Sequence, residues 1–143
     1  MKSLFYSLII LCCLSCVSNE TLNKDNNHGK RYAIGKSGGF TGEVTEFILN
    51  ENGKVYKYDY KYDREYFYKD LDKVDLHYFL EEIEKLGLDG VDINEPGNIT
   101  YYIDVRIGQN SINKIVWGKN LYYPPKELVT FHDEIFKKLA EFE

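Results

Sequence analysis

The sequence predicts an α+β domain: an antiparallel sheet of about five strands with two helices packed on one face, in the order β-β-β-α-β-β-α. Three observations carry this. Stretches of alternating polar and apolar residues are separated by turn signals too short for a parallel crossover. Two later segments switch to a helical period. Hairpins followed by helices segregate the helices to one face of a sheet.

Residues 31–36 are a short candidate strand, broken by Ser37-Gly38-Gly39-Phe40-Thr41-Gly42. Residues 43–49 are strand-like, with Val44, Phe47 and Leu49 as apolar landmarks. Asn52-Gly53 closes a turn, since both residue types tolerate positive φ. Residues 54–63 alternate, with Tyr56, Tyr58, Tyr60 and Tyr62 on one side and Lys57, Asp59, Lys61 and Asp63 on the other. Residues 66–68 continue the sheet beyond a kink near Arg64. Asp72 then caps a helix, echoed by Asp75 three residues on, and Leu76, Phe79, Leu80, Ile83 and Leu86 form its apolar stripe. Glu81 and Lys85 are spaced for an i,i+4 pair, and Gly87 is the stop. Residues 89–98 are a loop. Residues 99–107 and 111–117 are two strands joined at Gly108-Gln109-Asn110. Residues 119–124 lead into a last helix with Pro125 in its first turn and a buried stripe of Leu128, Phe131, Ile135, Leu139 and Phe142.

The N-terminus has another character. Lys2 is followed by the apolar run 4–14, then Ser15 and Cys16. A helix of that length spans roughly 16 Å, well short of the roughly 30 Å hydrocarbon core of a bilayer. The layout is that of a secretory signal. The Leu14-Ser15-Cys16 ending resembles the bacterial lipoprotein signal, in which the cysteine is lipidated and becomes the mature first residue. The expected organisation is a signal peptide over residues 1–15, a lipidated cysteine and flexible tether over 16–31, and a single α+β domain over 32–143. The resemblance implies an exported chain held in the bacterial cell envelope, at the outer membrane, by the lipid on Cys16. An ordinary cleaved signal would export it equally.

Composition excludes several classes. The chain has 18 basic and 23 acidic residues, net −5, and removing residues 1–15 takes away only Lys2 and leaves −6. A nucleic-acid partner needs a basic face, so none is expected. All three cysteines lie at or before Cys16, which leaves the mature domain no disulfide, thiolate metal site or thiol nucleophile. Gly35-Lys36-Ser37 looks like the end of a P-loop, but the first glycine of that pattern would fall on Lys30. Asp89, Asp92, Asn94 and Glu95 are rich in oxygen, yet Pro96 stands where a calcium loop wants a ligand and no glutamate closes the loop. His77 and His132 lack a metal-binding spacing. Ser37 or Ser111 with His77 and an aspartate makes a triad only on paper. Glu81 and Glu82 are adjacent on a helix and do not face each other. No metal, cofactor or enzymatic activity is expected.

The most distinctive string is Ser37-Gly38-Gly39-Phe40-Thr41-Gly42, whose glycines permit unusual φ/ψ and a close approach to another surface. Either Phe40 is an anchor for a partner's pocket, or it is tucked into the core. The string is similar to the start of the emfourin-like proteins, inhibitors of thermolysin-type metalloproteases, although Thr41 stands where alanine is commoner. The order of elements after it is similar too. The resemblance implies a protease-inhibitor fold and a secreted or periplasmic metalloprotease as partner, with Gly38, Gly39, Phe40, Thr41 and Gly42 as the candidate contact.

Tyr56, Tyr58, Tyr60 and Tyr62 are a second candidate. Like-facing rings repeat about every 7 Å along a strand, which makes a platform for glycan or peptide. The alternative is a half-buried face beneath the helices. Trp117 with Tyr122 and Tyr123 forms an aromatic lip, or Trp117 fills the sheet–helix core. The functional expectation is a membrane-anchored protein-binding domain, with a surface ligand-binding lipoprotein or an accessory subunit of an envelope complex as the alternatives.

Overall fold

The computed structural model describes residues 29–119 and 123–141, so the signal, Cys16 and most of the tether lie outside the described residues. The chain runs β1 (Lys30–Gly38), β2 (Val44–Asn50), β3 (Lys54–Asp59), β4 (Arg64–Asp70), α1 (Lys73–Leu86), a 3-10 turn (Leu88–Gly90), β5 (Asn94–Glu95), β6 (Ile99–Ile107), β7 (Asn110–Gly118) and α2 (Lys126–Ala140). The expected α+β class and the two helices are present. The sheet differs from expectation. It has seven strands, ordered β4-β3-β2-β1-β6-β7-β5, and is mixed, because β5 runs parallel to β7 while every other pair is antiparallel.

Strand parity divides the sheet into two faces. Tyr32, Ile34, Phe47, Leu49, Val55, Ile103, Val105, Ile115 and Trp117 face the helices and build one core with Phe79 and Ile83 of α1 and Leu128, Phe131, Ile135 and Leu139 of α2. Burial of these side chains is the main stabilising term. Phe142, expected on the α2 stripe, lies outside the described residues.

The caps follow the sequence. The Asp72 side chain accepts from the backbone N–H groups of Val74 and Asp75, and its carboxyl is held below the usual carboxylate range first by the Asp75 amide. Gly87 ends α1 in the left-handed region. Helix α2 starts one residue after Pro125. Its C-terminal carbonyls are capped from the sheet, where Lys69 Nζ donates at 2.8 Å to both Lys138 O and Glu141 O. The expected Glu81–Lys85 pair is absent: Lys85 bonds Glu82 at 2.6 Å and Glu81 faces His77 at 3.3 Å. Both are exposed helix pairs, and i,i+3 competes evenly with i,i+4 there.

Three expectations are corrected at the edges. The first strand begins at Lys30, one residue before the expected start at Arg31 and within the expected tether, and Arg31 is buried among Asn50 Oδ1, Gly108 O and Glu65. The third strand stops at Asp59 rather than Asp63. Asp59 Oδ1 accepts from the Lys61 and Tyr62 amides, Asp63 has φ 50, and the chain turns back into β4. Within the expected loop 89–98, Ile93 O takes the Val116 amide at 2.8 Å and Asn113 Nδ2 donates to Leu88 O and Val91 O, so the segment closes the far sheet edge.

Candidate functional site

The β1–β2 connection is where glycine is required. Gly38, Gly39 and Gly42 have φ of 94°, 80° and 63°. A Cβ on Gly38 would stand 2.1 Å from Asn98 O, so that position excludes a side chain for space as well as for φ. The loop is braced on both sides. Gly38 N donates to Glu43 O at 3.2 Å, Gly39 N to Asn98 O at 2.8 Å, and Gly42 N to Gly39 O at 3.2 Å. On this frame Phe40 is fully exposed, at 109 % of the reference value, with Thr41 and Gly42 exposed beside it. The ring is outside the core, and the backbone beside it is hydrogen-bonded to Asn98, the residue that precedes β6.

A cleft of about 460 Å³ opens beside the loop, on the helix side of the sheet, with Lys36, Thr41, Glu43, Phe47, Lys57 and Phe136 among its walls. Lys57 Nζ lies 5.6 Å from the Phe47 ring centre and 6.0 Å from that of Tyr68. A second, smaller cleft of about 230 Å³ opens at the same end of the sheet, between the end of β7 and the start of α2.

The tyrosines are elsewhere. Tyr56 pairs with Ile48 and Phe67, and Tyr58 with Glu65, on the face turned away from the helices. The alternative of a row beneath the helices is therefore incorrect, and so is the unbroken four-residue ladder: Tyr60 and Tyr62 belong to the β3–β4 turn. Tyr56 meets Phe67 edge-on at 6.0 Å, with the Arg31 guanidinium 5.8 Å from its ring. Tyr58 donates to Asp63, and that bond first of all raises its pKa to about 12. Tyr60 folds back over the sheet, donates to Glu46 at 3.1 Å and lies 3.2 Å from the Tyr102 hydroxyl. Tyr62 lies between Lys61 Nζ at 5.0 Å and Arg64 Cζ at 5.3 Å. Tyr60 and Tyr62 are about half exposed, at 49 % and 60 %.

The helix-free face carries a buried polar network that the sequence reading missed. Arg106 donates to both oxygens of Glu46, at 3.1 and 3.3 Å, and its Nε donates to Asp104 at 2.7 Å. Ser111 Oγ donates to the other Asp104 oxygen, while His77 on α1 faces Glu81 instead. Glu46 and Asp104 are almost fully buried. The available signal was charge at alternate positions of central strands, Glu46 beside Phe47-Ile48-Leu49 and Asp104-x-Arg106 within β6. The network roofs Ala33 and Ile48, which are buried with no helix above them.

His132 is the one buried histidine among the described residues. Its Nε2 donates to Gly35 O at 3.0 Å, which leaves Nδ1 bare, buried and without a hydrogen-bond partner. Trp117 and Tyr101 close on its ring, so Trp117 fills the sheet–helix core, while Tyr123 stands 92 % exposed and Tyr122 lies outside the described residues. Among the described residues no three His, Cys, Asp or Glu side chains converge to hold a metal, and no helix is long and apolar enough to cross a membrane. No family model and no curated protein matches the chain.

Proposed function

We propose that this chain is an exported lipoprotein, held by lipid on Cys16 at the outer membrane of a bacterial envelope, whose domain binds a protein partner through the Phe40 loop. The partner that fits the resemblance is a thermolysin-type metalloprotease, and the domain acts as its inhibitor, a binding module and not a catalyst. The observation that carries the reading is the full exposure of Phe40 on a braced backbone. An exposed phenylalanine adds nothing to the fold, whereas a rigid aromatic anchor on a pre-ordered loop binds without an ordering cost. The phenol groups of Tyr58 and Tyr60 are engaged inside the domain, which makes the tyrosine face the weaker platform for glycan or peptide.

The test is an inhibition titration. The mature protein, purified in detergent, is titrated against a thermolysin-type metalloprotease with a peptide substrate. Stoichiometric loss of activity that disappears in Phe40→Ala supports the reading. Full protease activity at micromolar concentrations of folded protein refutes it.

A further inference from the structure

The β1–β2 and β3–β4 hairpins turn at the same end of the sheet, because β1 to β4 are consecutive antiparallel neighbours. One connection carries Phe40 and the other Tyr60 and Tyr62, and two strand spacings, about 10 Å, separate them. Four cations gather at this end. Lys36 and Lys57 line the cleft of about 460 Å³ beside the Phe40 loop, and Lys61 and Arg64 flank Tyr62.

Each of the four lies against an aromatic ring, and none is in an ion pair among the described residues. Lys36 Nζ is 5.9 Å from the Tyr101 ring centre and Lys57 Nζ 5.6 Å from that of Phe47. A ring attracts an ammonium without cancelling its charge. The carboxylates nearby are already engaged: Asp59 Oδ1 accepts from the Lys61 and Tyr62 amides, and Asp63 from the Tyr58 hydroxyl. Glu43 is the one carboxylate among the residues that line the cleft. Elsewhere Lys30, Arg31, Lys85, Arg106 and Lys138 each hold a carboxylate. The Phe40 end thus keeps unpaired positive charge in a chain of net charge −5. Such charge draws in and orients an acidic partner and disfavours a basic one. The cleft gives that charge a seat. Phe47 and Phe136 offer an apolar wall, Lys36 and Lys57 the donors, and Thr41 brings the Phe40 loop itself to the rim. A carboxylate between two ammonium groups makes charge-assisted hydrogen bonds, about twice as strong as neutral ones.

We infer that the cleft between Lys36 and Lys57 receives an aspartate or glutamate side chain from an acidic segment of the protease that Phe40 engages. This rests on the inhibitor reading, and the experiment separates the two. The mature protein carrying Lys36→Glu or Lys57→Gln is titrated against the same metalloprotease at low and high salt, beside wild type and Lys73→Glu. Lys36 is exposed, so its reversal leaves the fold intact, as circular dichroism checks. Lys73, exposed at the opposite end of the sheet, controls for net charge. The expected result is a loss of inhibitory affinity of at least about tenfold in Lys36→Glu and about threefold or more in Lys57→Gln, with a weaker salt dependence than wild type in both. Lys73→Glu should stay within about twofold of wild type. Wild-type inhibition that Lys36→Glu or Lys57→Gln retains within about twofold, or that Lys73→Glu loses equally, overturns the cleft alone and leaves the Phe40 reading standing. Absence of wild-type inhibition overturns both.

Discussion

The Tyr102 hydroxyl donates to Glu46 at 2.6 Å across an intervening strand. Glu46 is on β2 and Tyr102 on β6; between them, in register, is Gly35 of β1. The phenol ring lies over that glycine, where a Cβ would stand 2.0 Å from Tyr102 Cζ. Burial above all raises the Tyr102 pKa far beyond its ordinary value, so the group remains a neutral donor to the carboxylate.

Gly35→Ala is expected to destabilise the domain by about 3 kcal/mol, because the methyl must displace the ring and with it the bond to Glu46. Tyr102→Phe keeps the ring and removes only the hydroxyl, for about 1 kcal/mol. Urea denaturation of both variants checks the order. Equal losses would mean that the ring does not depend on the glycine.

Arg106→Met is expected to cost about 3–5 kcal/mol, since it leaves the buried Glu46 and Asp104 carboxylates without their cation. Glu46→Gln and Asp104→Asn in the same chain remove those charges and should recover part of the loss. The melting temperatures of the single and triple variants test this.

Phe40→Ala is expected to leave stability within about 0.5 kcal/mol of wild type, as its ring touches no core. Gly38→Ala differs. With φ 94° and Asn98 O in the way, it should cost about 1–3 kcal/mol and also loosen the loop. Thermal melts paired with the inhibition titration separate loss of the anchor from loss of its support.

His132 makes stability depend on pH. Desolvation lowers its pKa below the ordinary 6.5. The unfolded chain therefore binds the proton more readily than the folded one, and stability is full above about pH 6.5 and falls as pH drops below it. The proton would go to Nδ1, whose nearest carboxylate is Asp133 at 3.6 Å. NMR titration of the His132 ring should give a midpoint below 6.5, and the fall in melting temperature toward pH 5 should be smaller in His132→Gln.

Much of this fold can be read from local patterns. Asp72 and Gly87 mark α1, and the stripes Phe79–Ile83 and Leu128–Leu139 name the buried faces of both helices. What escapes the sequence depends on partners distant along the chain. Arg31 reads both as the end of the tether and as the start of a strand until Asn50, Glu65 and Gly108 close around it. Strand β4 reads poorly because its charged ends, Arg64-Glu65 and Lys69-Asp70, are those of an exposed sheet edge. The tyrosine alternation continues past Asp59, and only the side-chain bonds of Asp59 and the left-handed Asp63 end the strand. At the β1–β2 connection the glycine string was legible, while the exposure of Phe40 stayed open between anchor and core; the small cleft was not legible, since β6, β7 and α2 meet only in three dimensions.

Strand β1 runs from Lys30 at one end of the sheet to Gly38 at the other, about 26 Å for eight steps of an extended chain. Whatever holds the chain upstream of Gly29 thus grips the domain at one pole, and Phe40 crowns the opposite one. Under the proposed anchorage through Cys16, the attachment lies on the side of the lower pole and the aromatic tip stands at the opposite end of the domain.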